Sequence, residues 1–215
     1  MTGRQCSIKV IIYGSLPIVL WPLSFDVFSR YFVYGMAIST LILGILSILW
    51  FRDRLRWFRL GKTLVILVGI ASSIIMYMVF IGGYALLTYL GLTHYVLLVY
   101  RMVYSMVSRY ALAIALVIIG IMEEIYWRGG LQELARGLGG FASDEPWLVS
   151  MAYYTVVHVS TLNPALVAGA FAVGLIDGLL ADKVGLMASS LTHIIWLELI
   201  MVILPINHAI PIHLL

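Results

Sequence analysis

The sequence predicts an all-α protein, a polytopic bundle of transmembrane helices, and three observations carry that prediction. Of the 215 residues, 63% are hydrophobic and 11% charged, with a mean hydropathy of +1.06. A soluble domain has no use for that much apolar surface, because each element turns only one face to a core. The apolar residues fall in repeated runs near the ~20 residues that cross a bilayer as a helix. The cations gather in the links between those runs. A net charge of +3 gives no argument for nucleic acid, so the placement of the charges carries the information. Cys6 is the single cysteine, which excludes a disulfide within the chain.

The elements follow in order as one integral membrane domain over 1–215. Residues 8–24 form the first span. The run after Lys9 lacks a small-x-small cleavage pattern and holds Pro17 and Pro22, so it reads as a retained signal anchor. Asp26, Ser29 and Arg30 make a turn, and 31–51 form the second span. The 52–62 link carries Arg52, Arg54, Arg56, Arg59 and Lys62 against Asp53 alone, the strongest cytoplasmic marker in the chain. Its Trp57 and Phe58 suit the membrane interface. Residues 63–90 are long enough for a tilted span. The 94–109 stretch is apolar but short, with Arg101 in its middle, and is placed at the outer interface.

A helix over 110–127 comes next. A polar segment with Glu133, Arg136, Asp144 and Glu145, broken by Gly137, Gly139 and Gly140, separates it from the following span. Pro146 suits the first turn of a helix over 147–162, and Asn163-Pro164 marks a turn. Spans over 165–181 and 186–204 complete the count, and His208 and His213 lie in the tail. Seven spans with the N-terminus inside place ten cations on the cytoplasmic side and three, Arg30, Arg101 and Arg109, outside. A crossing by 94–109 would make eight and reduce the bias to seven against six.

Candidate chemistry centres on Met122-Glu123-Glu124-Ile125-Tyr126-Trp127-Arg128-Gly129-Gly130. Each charge at membrane depth costs roughly 2.5–3.5 kcal/mol on insertion scales, so ionisable residues there face the protein interior and carry function. Glu124 and Arg128 share a face at i,i+4, while Glu123 points about 100° away. Counted from the same membrane side at 1.5 Å per residue, Glu124, His158 and His193 lie about 6, 16 and 10 Å along their helices. They can therefore meet in one cavity reached from the cytoplasm. Asp177, between Gly174 and Gly178, reads as a structural hydrogen bonder at a close helix contact. His94, His208 and His213 fall near interfaces. Glu198 is either structural or a polar group of the cavity.

Glu123-Glu124-x-x-x-Arg128, then Tyr154 four residues before His158, then His193 after the Gly-rich Phe171–Leu180 stretch, resemble the CPBP superfamily. That group comprises the Rce-type, type II CAAX prenyl endopeptidases and their relatives of the ABI family. The resemblance covers residues 110–204 and assigns no role to the helices of 1–109. It implies an intramembrane endopeptidase acting near the cytoplasmic face on a hydrophobic or prenylated peptide, with membrane lipid around it and no nucleic acid. The site it implies is Glu123, Glu124, Arg128, His158 and His193. Leu197 departs from the pattern, since the family commonly has Asn or Asp there.

Peptide hydrolysis needs a base for water, a group for the oxyanion and an acid for the leaving amine. Glu123 with His158 would activate water, Glu124 with Arg128 would hold the helix end, and His193 would polarise the carbonyl. No cofactor is required by this scheme. The alternative is a divalent metal such as zinc on Glu123, His158 and His193, a ligand set used by catalytic zinc but without His-Glu-x-x-His spacing. Two other functions stay open: an inactive member that binds lipidated partners, and a proton-coupled transporter, which would more often show two related halves.

Overall fold

In the computed structural model the chain is described over residues 3–206, and no strand occurs among the described residues. His208 and His213 lie outside them, as do the side chains of residues 3–9, Cys6 included. Helix α1 (Gly3–Pro22) passes Pro17 and widens into a π turn over Leu23–Val27, as a helix does when proline removes a backbone donor. Helices α2 (Phe32–Phe51), α3 (Lys62–Tyr89) and α4 (Thr93–Val103) follow. Then come α5 (Arg109–Glu124), α6 (Gln132–Arg136), α7 (Phe141–Asp144), α8 (Pro146–Val159), α9 (Pro164–Lys183) and α10 (Leu186–Glu198).

Among the described residues, six stretches are long and apolar enough to cross a membrane: 10–27, 29–54, 62–89, 109–136, 164–183 and 186–203. The expected span over 147–162 is not among them. It is α8, only 14 residues, or about 21 Å at 1.5 Å per residue. Trp147 nevertheless lies against Gly178 near the end of α9, and Asn163, just past α8, donates to the Tyr95 carbonyl at 3.0 Å. Helix α4 has 11 residues, about 16 Å, too short for an eighth crossing. It packs across the end where α10 finishes. The Tyr100 hydroxyl donates to the Ile200 carbonyl (2.9 Å), Tyr104 to Met201 (2.6 Å) and Arg109 to Val202 (2.6 Å).

The largest departure from expectation is the helix expected to stop at 127. Residues 125–131 continue α5 as a π-helical turn, all of them buried, and α6 carries the rod to Arg136. Gly129 and Gly130 do not break it. A Cβ on Gly129 would lie 2.7 Å from Leu55, and one on Gly130 would overlap the Tyr13 hydroxyl. These glycines exist for close approach, the packing device available where lipid supplies no hydrophobic drive between helices. Gly44 against Met122 and Gly69 against Ala188 serve α2–α5 and α3–α10 in the same way.

One end of the bundle collects the basic link. Backbone bonds tie it to the α9–α10 turn: Leu186 donates to Arg56 (2.9 Å), Met187 to Trp57 (3.0 Å) and Arg59 to Val184 (3.0 Å). Gly185 sits there at φ +132°, with the Trp57 carbonyl 2.6 Å from where a Cβ would be. No other residue fits that position. Arg56 pairs with Glu133 at 3.1 Å and Arg59 with Asp182 at 3.8 Å, and Arg136 bridges both acids. At the other end the Ser105 hydroxyl donates to the Arg30 carbonyl at 2.9 Å, and Arg109 lies beside it in the chain. Arg56, Arg59 and Arg136 thus share one end of the bundle, and Arg30 and Arg109 the other.

Candidate active site

The site lies where α5, α8, α9 and α10 meet, at the start of the π turn. Glu124 is fully buried and ion-pairs with Arg128 Nη1 at 2.9 Å. The i,i+4 pairing expected from sequence is present. Arg128 Nη2 also donates to the Val173 carbonyl of α9 at 3.1 Å, and the guanidinium lies over the Tyr154 ring, 4.8 Å from its centroid. These contacts engage only part of the pair, since Glu124 Oε2 and Arg128 Nε have no hydrogen-bond partner among the described residues.

His193 of α10 enters the same cluster. Its Nδ1 lies 2.8 Å from Glu124 Oε1 and 3.2 Å from Asp177 Oδ2, and its Nε2 lies 3.5 Å from Glu123 Oε2. Carboxylates accept and do not donate, so Nδ1 carries a hydrogen and Nε2 is the nitrogen turned to Glu123. Glu123 Oε2 also accepts from the Tyr154 hydroxyl at 3.2 Å. Glu123, Glu124, Arg128 and His193, all expected from sequence, are brought together.

His158 stands differently. Its Nδ1 donates to the Tyr154 carbonyl at 2.8 Å, one turn back on α8, and its Nε2 accepts from the Trp21 indole N–H at 3.1 Å. A carbonyl only accepts and an indole N–H only donates, so the ring is neutral with both nitrogens engaged. Rings of Trp21, Phe25 and Tyr154 surround it at 5.9, 5.8 and 4.5 Å. Tyr154 is its link to Glu123, since the hydroxyl of that residue reaches the carboxylate while its ring faces the imidazole.

A cavity of about 280 Å³ lies beside the cluster among α3, α4, α8, α9 and α10. Phe80, Tyr84, Tyr154, His158, Val173 and Trp196 are among its lining residues. Its wall is mostly apolar, as suits a ligand chain rather than an ion. Trp196 also contacts His193, with centroids 5.6 Å apart. Leu197 does not line this space; it is buried against Gly120 of α5.

The donors at metal-ligand spacing among the described residues are Glu124, Asp177 and His193, not Glu123, His158 and His193. They fit a dication poorly. Glu124 Oε1 already holds the Arg128 guanidinium at 2.9 Å, so a metal there would face a fixed positive charge at short range. It would also have to displace the Nδ1 hydrogen of His193.

Asp177, read from the sequence as a structural hydrogen bonder, stands beside His193, and Trp21, which the sequence did not single out, donates to His158. Asp177 was legible as an ionisable residue inside an apolar run, a functional signal by itself. Trp21 carried no signal, because its partner is 137 positions away.

Residues 105–197 match the family model described as Rce1-like, type II CAAX prenyl endopeptidase Rce1-like. No curated protein and no solved structure matches the chain. The matched stretch begins just ahead of α5 and ends within α10, so it contains both acids, both histidines and Arg128. Residues 105–197 of this integral membrane protein are thus similar to the Rce1-like type II CAAX prenyl endopeptidases.

Proposed function

We propose that the protein is an intramembrane endopeptidase that hydrolyses a peptide bond in a prenylated or similarly hydrophobic substrate. The observation that carries this is the line Arg128–Glu124–His193–Glu123, with contacts of 2.9, 2.8 and 3.5 Å. A carboxylate behind Nδ1 fixes the tautomer and rotation of the ring, and the opposite nitrogen is aimed at a second carboxylate. Glu123 takes a proton from water as the water oxygen bonds to the scissile carbonyl carbon. His193 Nε2–H is the donor to the carbonyl oxygen and then to the leaving amine as the C–N bond breaks. The proton held by Glu123 passes back to His193, which restores the site. These steps use no metal. The aromatic and aliphatic cavity against Tyr154 and Trp196 takes the hydrophobic part of the substrate.

The basic end of the bundle faces the cytoplasm in this reading, with the N-terminus on the same side. The test is single-turnover cleavage of a prenylated peptide by purified protein, with products identified by mass. Glu123→Gln should abolish cleavage and leave the protein monodisperse. Equal product with wild type would remove the proposal. A second reading, an inactive member that binds lipidated partners, is favoured by one observation: Trp21 occupies the Nε2 of His158. Binding of the peptide without any product would select it.

A further inference from the structure

The cluster contains one more acid than the hydrolysis scheme uses. Asp177 is fully buried, its side chain turned to His193 at 3.2 Å, and neither of its oxygens accepts a well-formed hydrogen bond. The carboxylates are Glu123, Glu124 and Asp177, and the groups able to carry positive charge are Arg128 and His193. Glu124 is balanced by Arg128 at 2.9 Å. With His193 charged, Asp177 balances it, and the single remaining negative charge falls on Glu123, the group that must act as base.

We infer that Asp177 is the counter-ion of His193, a positioning residue that lets the imidazole hold its second proton on Nε2 while Glu123 stays free to take one from water. This rests on the peptidase reading above for its role in turnover, though not for its effect on the ring. The geometry explains why Glu124 alone does not suffice. Its Oε1 is shared between the guanidinium and Nδ1, so its charge is already committed. Asp177 comes from a different helix, α9, at the place where Gly174 and Gly178 let that helix approach Met151 and Trp147 of α8. The close packing that holds α9 against α8 fixes Asp177 in turn. Asparagine would keep the shape and remove the charge.

The experiment reads the ring directly. Protein labelled with ¹⁵N-histidine gives signals for each imidazole, and His193→Gln identifies the one that matters. Wild type should show His193 with hydrogens on both nitrogens, and both Asp177→Asn and Asp177→Ala should return it to a single-hydrogen pattern. Single-turnover cleavage of a prenylated peptide should fall about 10- to 100-fold in the rate constant, with KM unchanged, the scale known for losing the partner behind a metal-bound histidine. Histidine signals that are identical in wild type and in either folded variant would overturn the proposal. So would a singly protonated His193 in wild type, a result that needs no variant to fold. If wild type cleaves nothing, the peptidase reading fails, and the nitrogen signals still decide the place of Asp177.

Discussion

Removing the Arg128 side chain should destabilise the protein more than any other single change in the site, and a double-mutant cycle tests why. In Arg128→Met, Glu124 keeps its buried position without its guanidinium partner. Breaking a buried pair by deleting one member costs about 3–5 kcal/mol, because a charge is left uncompensated. The lost charged bond to the Val173 carbonyl, of a kind worth about 1.5–3 kcal/mol, forms part of that cost. Glu124→Gln removes the charge while leaving an oxygen to accept from His193 Nδ1, so it should cost less than Arg128→Met. In the double variant neither charge remains, and the loss should be well below the sum of the two. Residues in direct ion-pair contact couple by about 0.5–3 kcal/mol, and a 2.9 Å pair with almost no exposure belongs at the upper end. Denaturant unfolding in one detergent, followed by tryptophan fluorescence and circular dichroism, supplies the four free energies. Losses that add to within about 0.5 kcal/mol would mean that the pair is not energetically coupled. The charge accounting built on it would then fail.

Three further outcomes follow from individual contacts. Tyr154→Phe removes the hydroxyl at 3.2 Å from Glu123 and should slow single-turnover cleavage roughly tenfold, the equivalent of about 1.4 kcal/mol; an unchanged rate would show that the bond does not position the base. Trp21→Phe leaves the His158 Nε2 without its donor and should lower unfolding free energy by about 1–3 kcal/mol, the scale for an unsatisfied buried acceptor, whereas a stability equal to wild type would mean that another donor takes over. In a Cys6→Ser background, a cysteine replacing Arg54 should resist impermeant labelling in intact cells and one replacing Arg101 should react; the reverse pattern would invert the topology.

The fold was legible wherever one helix alone determines the signal. Composition and run length are properties of single segments, and they located six stretches that the structure also makes long and apolar enough to cross. Reading failed where a residue type has two uses. The helix was expected to end at 127, just ahead of Gly129-Gly130, and glycine is a weak helix former. Here both face close neighbours: a Cβ at Gly130 would overlap the buried Tyr13 hydroxyl, and one at Gly129 would force the Leu55 side chain to shift. Only the tertiary partner distinguishes a glycine that stops a helix from one that lets another chain segment touch it. The same ambiguity shortened α8, whose apolar run was counted through Ser160 and Thr161, residues that instead belong to the turn before α9.

The site divides along the same line. Glu124 with Arg128 was legible because both partners are on one helix at a fixed spacing, and the pair forms at 2.9 Å. Which histidine would serve which acid was not, since that depends on how three helices rotate against α5. Small-residue contacts set those rotations: Gly120 against Ile194, Gly174 against Met151 and Gly69 against Ala188. The first and third seat α10 so that His193, rather than His158, meets both glutamates. His158 lies beyond Tyr154, with its Nε2 turned to α1. A histidine whose acceptor nitrogen is already filled cannot take a proton from water until the donor withdraws. In the proposed scheme His193 is therefore the histidine that moves a proton, and His158 reaches Glu123 only through the tyrosine between them.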